Sequence, residues 1–155
     1  MNSWSFSTQV YSGFNSLERL RSLQNEVILI VCDPFLKGSD SLNYVISLMS
    51  SSNEVHTYTE VIPDPPISHV VQGVEFAKTL HPTVMIAIGG GSAIDMSKGI
   101  AYFARKLEHL HIHTFIAIPT TSGTGSEVTA FAVLTDASTQ TKYPLLDDEI
   151  LPDEA

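Results

Sequence analysis

Three consecutive glycines, Gly89 to Gly91, are the first residues in the chain whose type and spacing suggest chemistry. They follow the apolar run at 84–88 and precede Ser92 and Asp95, where the spacing becomes helical. Glycine has no Cβ, so a phosphate can approach the main chain, and the start of a helix offers unpaired N–H groups. We therefore predict an anion-binding site at this helix start.

The glycine cluster has a second interpretation, a tight strand-to-helix turn without a ligand. It is not the usual dinucleotide fingerprint, because Ile94 stands where that motif needs glycine or alanine. It is not a Walker loop, because no Gly-Lys-Ser/Thr follows. The cluster favours a ligand without identifying it.

A second polar segment, IPTTSGTGSEVTAF at 118–131, follows another apolar run. Its hydroxyl residues are Thr120, Thr121, Ser122, Thr124 and Ser126. The segment predicts a loop that hydrogen-bonds a polar ligand; a flexible linker is the alternative. No His or Lys is near enough in sequence to activate a serine as a nucleophile. Ligands of open α/β sheets bind outside the carboxyl ends of the strands, where both loops would lie.

Metal ligands are not indicated by the histidines. His109, His111 and His113 alternate in HLHIH and would share one face of a strand, but we favour surface imidazoles. His56, His69 and His81 are isolated. There is no HExxH motif and no carboxylate pair with acid/base spacing, so we predict neither a metal site nor a catalytic residue in this chain.

Apolar runs alternate with segments of helical spacing. The runs at 27–31, 84–88 and 115–118 predict strands buried on both faces. The helical segments lie at 42–49, 70–78 and 94–104. This alternation predicts one α/β domain over residues 1–155, a Rossmann-like, mostly parallel sheet with helices on both faces.

A further strand is predicted at 56–61. Less buried strands, as a hairpin or an edge addition, are predicted at 6–13 and at 128–136 with 141–146. PDPP at 63–66 predicts a rigid loop at the carboxyl end of a strand. Ser68 is predicted to cap a helix that begins near His69. The acidic tail LLDDEILPDEA shows no helix or strand pattern, so the chain looks cut off.

Composition excludes some classes of function. The net charge is −9 and the 8 Lys and Arg residues are scattered, which argues against nucleic acid. The apolar runs are too short to span a membrane. The single cysteine, Cys32, excludes an internal disulfide, and the first residues lack a signal-peptide pattern. We predict a cytoplasmic protein.

The segments GGGSAIDMSKGIA and IPTTSGTGSEVTAFAVLTD together resemble the iron-containing (group III) alcohol dehydrogenases, which have a dehydroquinate synthase-like fold. The resemblance covers nearly the whole chain. The segments VCDPFLK and TKYPLLDDEILPD are similar to the subgroup of 1-propanol dehydrogenases, which suggests a microcompartment-associated protein. The resemblance implies an N-terminal cofactor-binding domain, with the C-terminal helical domain absent from this chain.

The resemblance also implies site residues and a cofactor. In the family, the glycine loop holds the cofactor pyrophosphate, the Thr-rich loop lies near the nicotinamide and phosphates, and an acid contacts the adenosine ribose. The matching positions are Asp33, Gly90, Gly91, Ser92, Asp95, Thr120, Thr121 and Thr124. A carboxylate at Asp33 would repel a 2′-phosphate, so NAD is predicted over NADP. Without the resemblance, Asp33 before Pro34 is equally typical of a turn cap.

The implied activity is hydride transfer between NAD and a small primary alcohol or aldehyde by a homodimer, with iron or another divalent metal polarising the substrate oxygen. The family's metal ligands, an Asp and three His, would lie beyond residue 155, so this chain alone is expected to be inactive. Asp64 stands where the family commonly has Asn. Two alternatives stay open: a nucleotide-binding module without redox chemistry, and an enzyme of the glycerol dehydrogenase or dehydroquinate synthase type.

Overall fold

The central sheet is parallel and lies between helices on both of its faces. The computed structural model describes residues 7–155, and within them the sheet has the strand order β2-β1-β3-β4. The strands are β1 (Val27–Cys32), β2 (Glu54–Tyr58), β3 (Val84–Gly89) and β4 (Thr114–Pro119). The connecting helices are α1 (Asp40–Leu48), α2 (Ile67–Leu80) and α3 (Gly91–Leu107). The predicted α/β fold is confirmed.

An antiparallel hairpin follows the sheet, formed by β5 (Phe131–Asp136) and β6 (Thr141–Leu146). Short 3-10 helices lie at Ser16–Ser22, Pro34–Leu36, Ser126–Val128 and Asp148–Ile150. The hairpin packs against α3 and α2 rather than joining the central sheet. The predicted hairpin is therefore present, but β5 is shorter than 128–136 because a 3-10 turn precedes it.

Two apolar clusters explain why the strand sequences are uninterrupted apolar runs. Successive side chains of a strand point to opposite faces. Leu29, Met85 and Phe115 pack on the face covered by α2 and α3. Ile28 and Ile86 pack on the other face, under α1 and the 3-10 helix at 16–22. Both faces are thus removed from water, which stabilises the sheet and makes its strands rigid supports for the loops.

The strand register brings the polar loops to one edge of the sheet. Ile88 of β3 pairs with Cys32 of β1 and with Ile118 of β4. The carboxyl ends of these three strands are therefore level. The segments that follow them begin at Asp33, at Gly90 and at Thr120, and all leave the sheet at this carboxyl edge.

Two local predictions were wrong. The second strand covers Glu54–Tyr58 rather than 56–61, because its pairing with β1 begins at Val27 and Glu54. Helix α2 begins at Ile67 with Pro66 as its N-cap residue, and no side chain caps it. Ser68 therefore lies inside the first turn and is not the cap. The proline fixes the extended conformation that an N-cap residue needs, without a side-chain acceptor.

The tail is also more ordered than its sequence indicates. Glu154 forms parallel bridges with Ile116 of β4 and with Gln9, so the tail extends the sheet beyond β4. The predicted strand at 6–13 is reduced to that bridge at Gln9 in the described residues; position 6 lies outside them. The predictions for the tail and for 6–13 were both inaccurate because the residues that pair there are distant in sequence. None of the described helices has the length and hydropathy of a membrane span.

Candidate functional site

The glycine turn sits at the end of β3 and is fixed by Asp33. Gly89 has a φ of +152°, a conformation that favours glycine. A Cβ at this position would lie 2.3 Å from Asp33 Oδ2. The N–H of Gly90 donates to the same oxygen at 3.2 Å. The carboxylate after β1 and the turn after β3 are therefore one structural unit.

The Ser/Thr loop, residues 120–130 between β4 and β5, lies directly against the glycine turn. The N–H of Thr120 donates to the carbonyl of Gly89 at 2.9 Å. A Cβ on Gly90 would be 3.3 Å from Thr121 Cγ2, and one on Gly91 would be 2.9 Å from Thr124 Cγ2. A side chain at Gly91 would press against Thr124 and displace that side chain or the loop that carries it. The structure thus brings together the two segments that the sequence singled out.

The surface formed by these loops suits an anionic, hydroxyl-rich ligand. The side chains of Thr120, Thr121 and Thr124 are exposed, and Ser92 is half-buried in the first turn of α3. The first N–H groups of α3 have no partner within the helix and lie at the positive end of its dipole. Phosphate oxygens would accept from these amides and from the neighbouring hydroxyls.

An apolar cavity adjoins this surface on the α1 side of the sheet. Its volume is about 440 Å³, and Ile88, Ile118 and Thr120 line it together with Phe35 and Leu36. These residues follow or end three adjacent strands. A flat aromatic group would find apolar contacts here, two residues beyond the carboxylate of Asp33.

Asp95 is predicted to face the cofactor, but its carboxylate is engaged within the chain. Oδ1 accepts from the Ser126 hydroxyl at 3.0 Å, and Oδ2 accepts from the N–H of Val133 at 3.1 Å. Burial raises the pKa of Asp95, and the two hydrogen bonds and the charge of Lys98 oppose that rise. Asp95 therefore joins α3 to the Ser/Thr loop and to β5.

Sequence reasoning missed Lys98, which is fully buried in α3. Its Nζ donates to the carbonyl oxygens of Thr129 and Phe131, both at 2.7 Å. Burial lowers the pKa of Lys98 to about 8. Its spacing was a usable signal: Lys98 is four residues after Ile94 and three before Ala101, on the buried face of the helix.

Asp64, in the loop after β2, has a φ of +51°. Asn and Asp tolerate this left-handed conformation better than other non-glycine residues, so an aspartate fits this turn. Its carboxylate forms an ion pair with Lys142 of β6 at 2.7 Å. The ion pair links the loop after β2 to the β5–β6 hairpin.

The histidines do not form a metal site in the part of the chain that the structure describes. His109, His111 and His113 are exposed and precede β4, so they do not share a strand face. His113 Nε2 lies 3.1 Å from Glu26 Oε2, at the opposite edge of the sheet. Among residues 7–155, no group of three or more His, Cys, Asp or Glu residues is arranged to hold a metal ion. The described residues do not fit a resident iron.

Comparison with known families identifies one match across the described chain. The sequence model for iron-containing alcohol dehydrogenases matches residues 7–155. The 1-propanol dehydrogenase PduQ of Citrobacter freundii is 43% identical over 155 residues, which is 100% of this chain and 42% of that protein. The NADPH-dependent butanol dehydrogenase of Clostridium saccharobutylicum is 35% identical over 162 residues, with 94% and 42% covered. The chain thus spans about two fifths of the length of these relatives.

Solved structures agree with the sequence comparison. A sulfoacetaldehyde reductase from Bifidobacterium kashiwanohense in complex with NAD+ superimposes with a TM-score of 0.85 at 26% identity, covering 100% of this chain and 45% of that one. A 1,3-propanediol oxidoreductase gives a TM-score of 0.82 at 25% identity, covering 99% and 44%.

Proposed function

Because the chain belongs to the iron-containing alcohol dehydrogenase family, we propose that its carboxyl edge binds NAD for hydride transfer to or from a small primary alcohol or aldehyde. One observation carries this proposal: Asp33 and the Ser/Thr loop both contact the glycine turn at a helix start. Such an edge offers amides, hydroxyls and a carboxylate to a single ligand. Resemblance to the sulfoacetaldehyde reductase bound to NAD+ supports the choice of ligand.

We assign the pyrophosphate to Gly90, Gly91 and Ser92. The main-chain N–H groups there and the Ser92 hydroxyl are the donors nearest the start of α3. The hydroxyls of Thr120, Thr121 and Thr124 would complete the donor set from across the turn. The contact of Asp95 with the cofactor stays a prediction. Both carboxylate oxygens of Asp95 already accept hydrogen bonds within the chain.

We assign the adenosine ribose to Asp33 and the adenine ring to the apolar cavity beside it. The carboxylate would accept from the 2′-hydroxyl and repel a 2′-phosphate, which favours NAD over NADP. The butanol dehydrogenase relative is NADPH-dependent by name, so cofactor preference varies among similar chains. Preference must therefore be measured on this protein.

The chemistry of the alcohol is assigned to the whole enzyme. A metal ion, when bound, would polarise the substrate oxygen. The described residues do not fit that ion, so their own part is to hold the cofactor and orient its nicotinamide. A chain of residues 1–155 is accordingly expected to bind NADH without turning over alcohol.

Location and assembly are further parts of the proposal. The resemblance to 1-propanol dehydrogenases supports a cytoplasmic, microcompartment-associated homodimer. The mass in solution, measured by light scattering, tests the dimer.

Cofactor titration tests the proposed function. We expect saturable NADH binding, followed by nicotinamide fluorescence and calorimetry, with weaker binding of NADPH. Asp33→Asn keeps an oxygen acceptor but removes the charge, so NADPH should gain about tenfold relative to NADH. The matched control Asp148→Asn makes the same charge change at an exposed residue of the 3-10 helix Asp148–Ile150, which packs near the C-terminal end of α3, and should leave the ratio unchanged. A folded protein that binds neither nucleotide would refute the proposal.

A further inference from the structure

Lys98 is a buried cation that belongs to none of the assigned ligand contacts. It lies in the second turn of α3, and its side chain is fully buried. Its Nζ donates to the carbonyls of Thr129 and Phe131 at 2.7 Å, with the Thr129 hydroxyl at 3.3 Å. These partners are the last residues of the Ser/Thr loop and the first residue of β5.

Burying an ammonium group is unfavourable unless its charge is compensated. Here desolvation lowers the pKa of Lys98, and the charges of Asp95 and Glu127 act in the opposite direction. An apolar side chain of similar length would fill the same volume without that penalty. What an apolar side chain lacks is the ability to hold two main-chain carbonyls at hydrogen-bond distance.

The carbonyls that accept hydrogen bonds from Lys98 lie at one end of a loop that is anchored at both ends. Asp95, one turn earlier on α3, holds Ser126 and the N–H of Val133. At the other end, the N–H of Thr120 bonds to Gly89. The loop between these anchors, residues 121–125, has its exposed threonines against the glycine turn. Helix α3 begins at the glycine turn, and its residues Asp95 and Lys98 also fix the loop that lies against that turn.

We propose that Lys98 is a positioning residue, which sets the distance of the Ser/Thr loop from the glycine turn and thereby the affinity for the cofactor. The inference rests on the proposed function for its ligand, but the loop geometry itself can be measured without one. Lys98 acts through the main chain of Thr129 and Phe131 and touches no cofactor atom in this assignment.

The test compares Lys98→Met with two controls in the full protein. Methionine keeps the length of the side chain and removes the donors. Lys106→Met makes the same substitution on the same helix, at an exposed lysine paired with Glu149. Leu48→Ala creates a cavity in the opposite cluster and lowers stability without touching either loop. Amide hydrogen exchange of residues 120–131 and NADH titration are the two readouts.

We expect faster exchange at 120–131 in Lys98→Met, with α3 and the strands still protected. If the loop then occupies the binding geometry about a tenth of the time, the apparent NADH Kd rises about tenfold. Saturating NADH should restore protection of the loop. Both controls should keep wild-type exchange at 120–131 and the wild-type Kd.

Unchanged exchange in Lys98→Met would overturn the positioning role, whatever the protein binds. Faster exchange with an unchanged NADH Kd would overturn the link to affinity. An equal rise of Kd in Leu48→Ala would show that the effect is loss of stability and not of position. Failure of the wild type to bind NADH would refute the proposed function instead, and the exchange data alone would then decide whether Lys98 orders the loop.

Discussion

The two edges of the parallel sheet carry similar residue types but differ in what those residues contact. At the amino edge, Glu26 Oε2 accepts from the Thr83 hydroxyl at 2.5 Å and lies 3.1 Å from His113 Nε2. The N–H of Val27 donates to Thr83, and the N–H of Glu26 donates to Asn53. These polar groups pair with one another and close the ends of the strands. At the carboxyl edge, exposed threonines and the start of α3 face solvent.

The difference follows from chain direction. In this sheet each helix follows a strand, so α1, α2 and α3 all begin at the carboxyl edge and end at the amino edge. Unpaired N–H groups and the positive ends of the helix dipoles therefore gather at one edge only. Polar residues at the amino edge stabilise strand ends, whereas polar residues at the carboxyl edge are available to an anion.

The largest expected effect comes from blocking the carboxyl edge. Gly91→Val places a branched side chain where a Cβ already lies 2.9 Å from Thr124, so the loop must move away from the turn. We expect NADH affinity to fall about a hundredfold, while circular dichroism stays unchanged. At the amino edge, His113→Gln should leave the NADH Kd at its wild-type value. If His113→Gln weakened binding as much as Gly91→Val, the two edges would not differ as argued.

The pH dependence of stability gives a smaller effect. The pKa of Lys98 is about 8 in the folded chain, against an ordinary value of 10.5, so the unfolded chain binds this proton more tightly. The Lys98 contribution to the free energy of unfolding therefore rises with pH, by about 2 kcal/mol from pH 8 to pH 10. Urea unfolding of the wild type and of Lys98→Met at several pH values measures this contribution as the difference between the two proteins. Other groups such as Cys32 titrate in both proteins, so their effect cancels.

That pH prediction has a definite sign. The free energy difference between wild type and Lys98→Met should move in favour of the wild type as pH rises. A flat difference would mean that folding leaves the pKa of Lys98 unshifted, and a move the other way would mean that the folded chain stabilises the ammonium. In neither case would burial of the Lys98 ammonium lower the free energy of unfolding.

The smallest effect is expected at the amino edge, with the same sign of pH dependence but in the acid range. The hydrogen bond from Thr83, and to a lesser extent His113, holds the pKa of Glu26 below 4.5. Its stabilising contribution is present above that pH and lost as pH falls through the lower folded value. Glu26→Gln should lower the free energy of unfolding at pH 7 by about 1 kcal/mol. It should also flatten the acid limb, which is the fall of the free energy of unfolding as the pH drops below 4.5. NADH affinity should not change.

The matched control for Glu26 is Glu54→Gln, at an exposed neighbour on β2. It removes the same charge without the bond to Thr83 and should retain the acid limb. Equal loss of the acid limb in both variants would assign the pH dependence to net charge rather than to the contacts of Glu26.

Much of the fold was predictable because its signals are local. The runs at 27–31, 84–88 and 115–118 became β1, β3 and β4 with small changes at their ends. The glycine turn and the Ser/Thr loop were also found from residue type. The bounds of β2, predicted at 56–61, and the pairing of Glu154 were not, because both depend on which strand lies alongside. Hydrogen-bond partners across a sheet leave no local pattern in the sequence.

The candidate site divides in the same way. Asp33, the glycines and the threonines were named from the sequence and its family resemblance. The fold brings Asp33 and Thr121 against Gly90, and Thr124 against Gly91. Lys98 was missed, because a lysine on an apolar helix face is usually exposed at its tip. Only the neighbouring carbonyls of Thr129 and Phe131 explain how it is buried.

The sequence by itself determined the alternation of buried strands and helices, and the residue types that follow each strand. These properties depend on hydrophobic spacing and on the conformational range of glycine and proline, which act within a few residues. Only the tertiary structure decided that the glycine turn and the Ser/Thr loop touch. It also decided that Asp95 and Lys98 anchor the Ser/Thr loop to α3, the helix that begins at the glycine turn. Those contacts join residues about thirty positions apart, and they form because the strand register makes the carboxyl ends level.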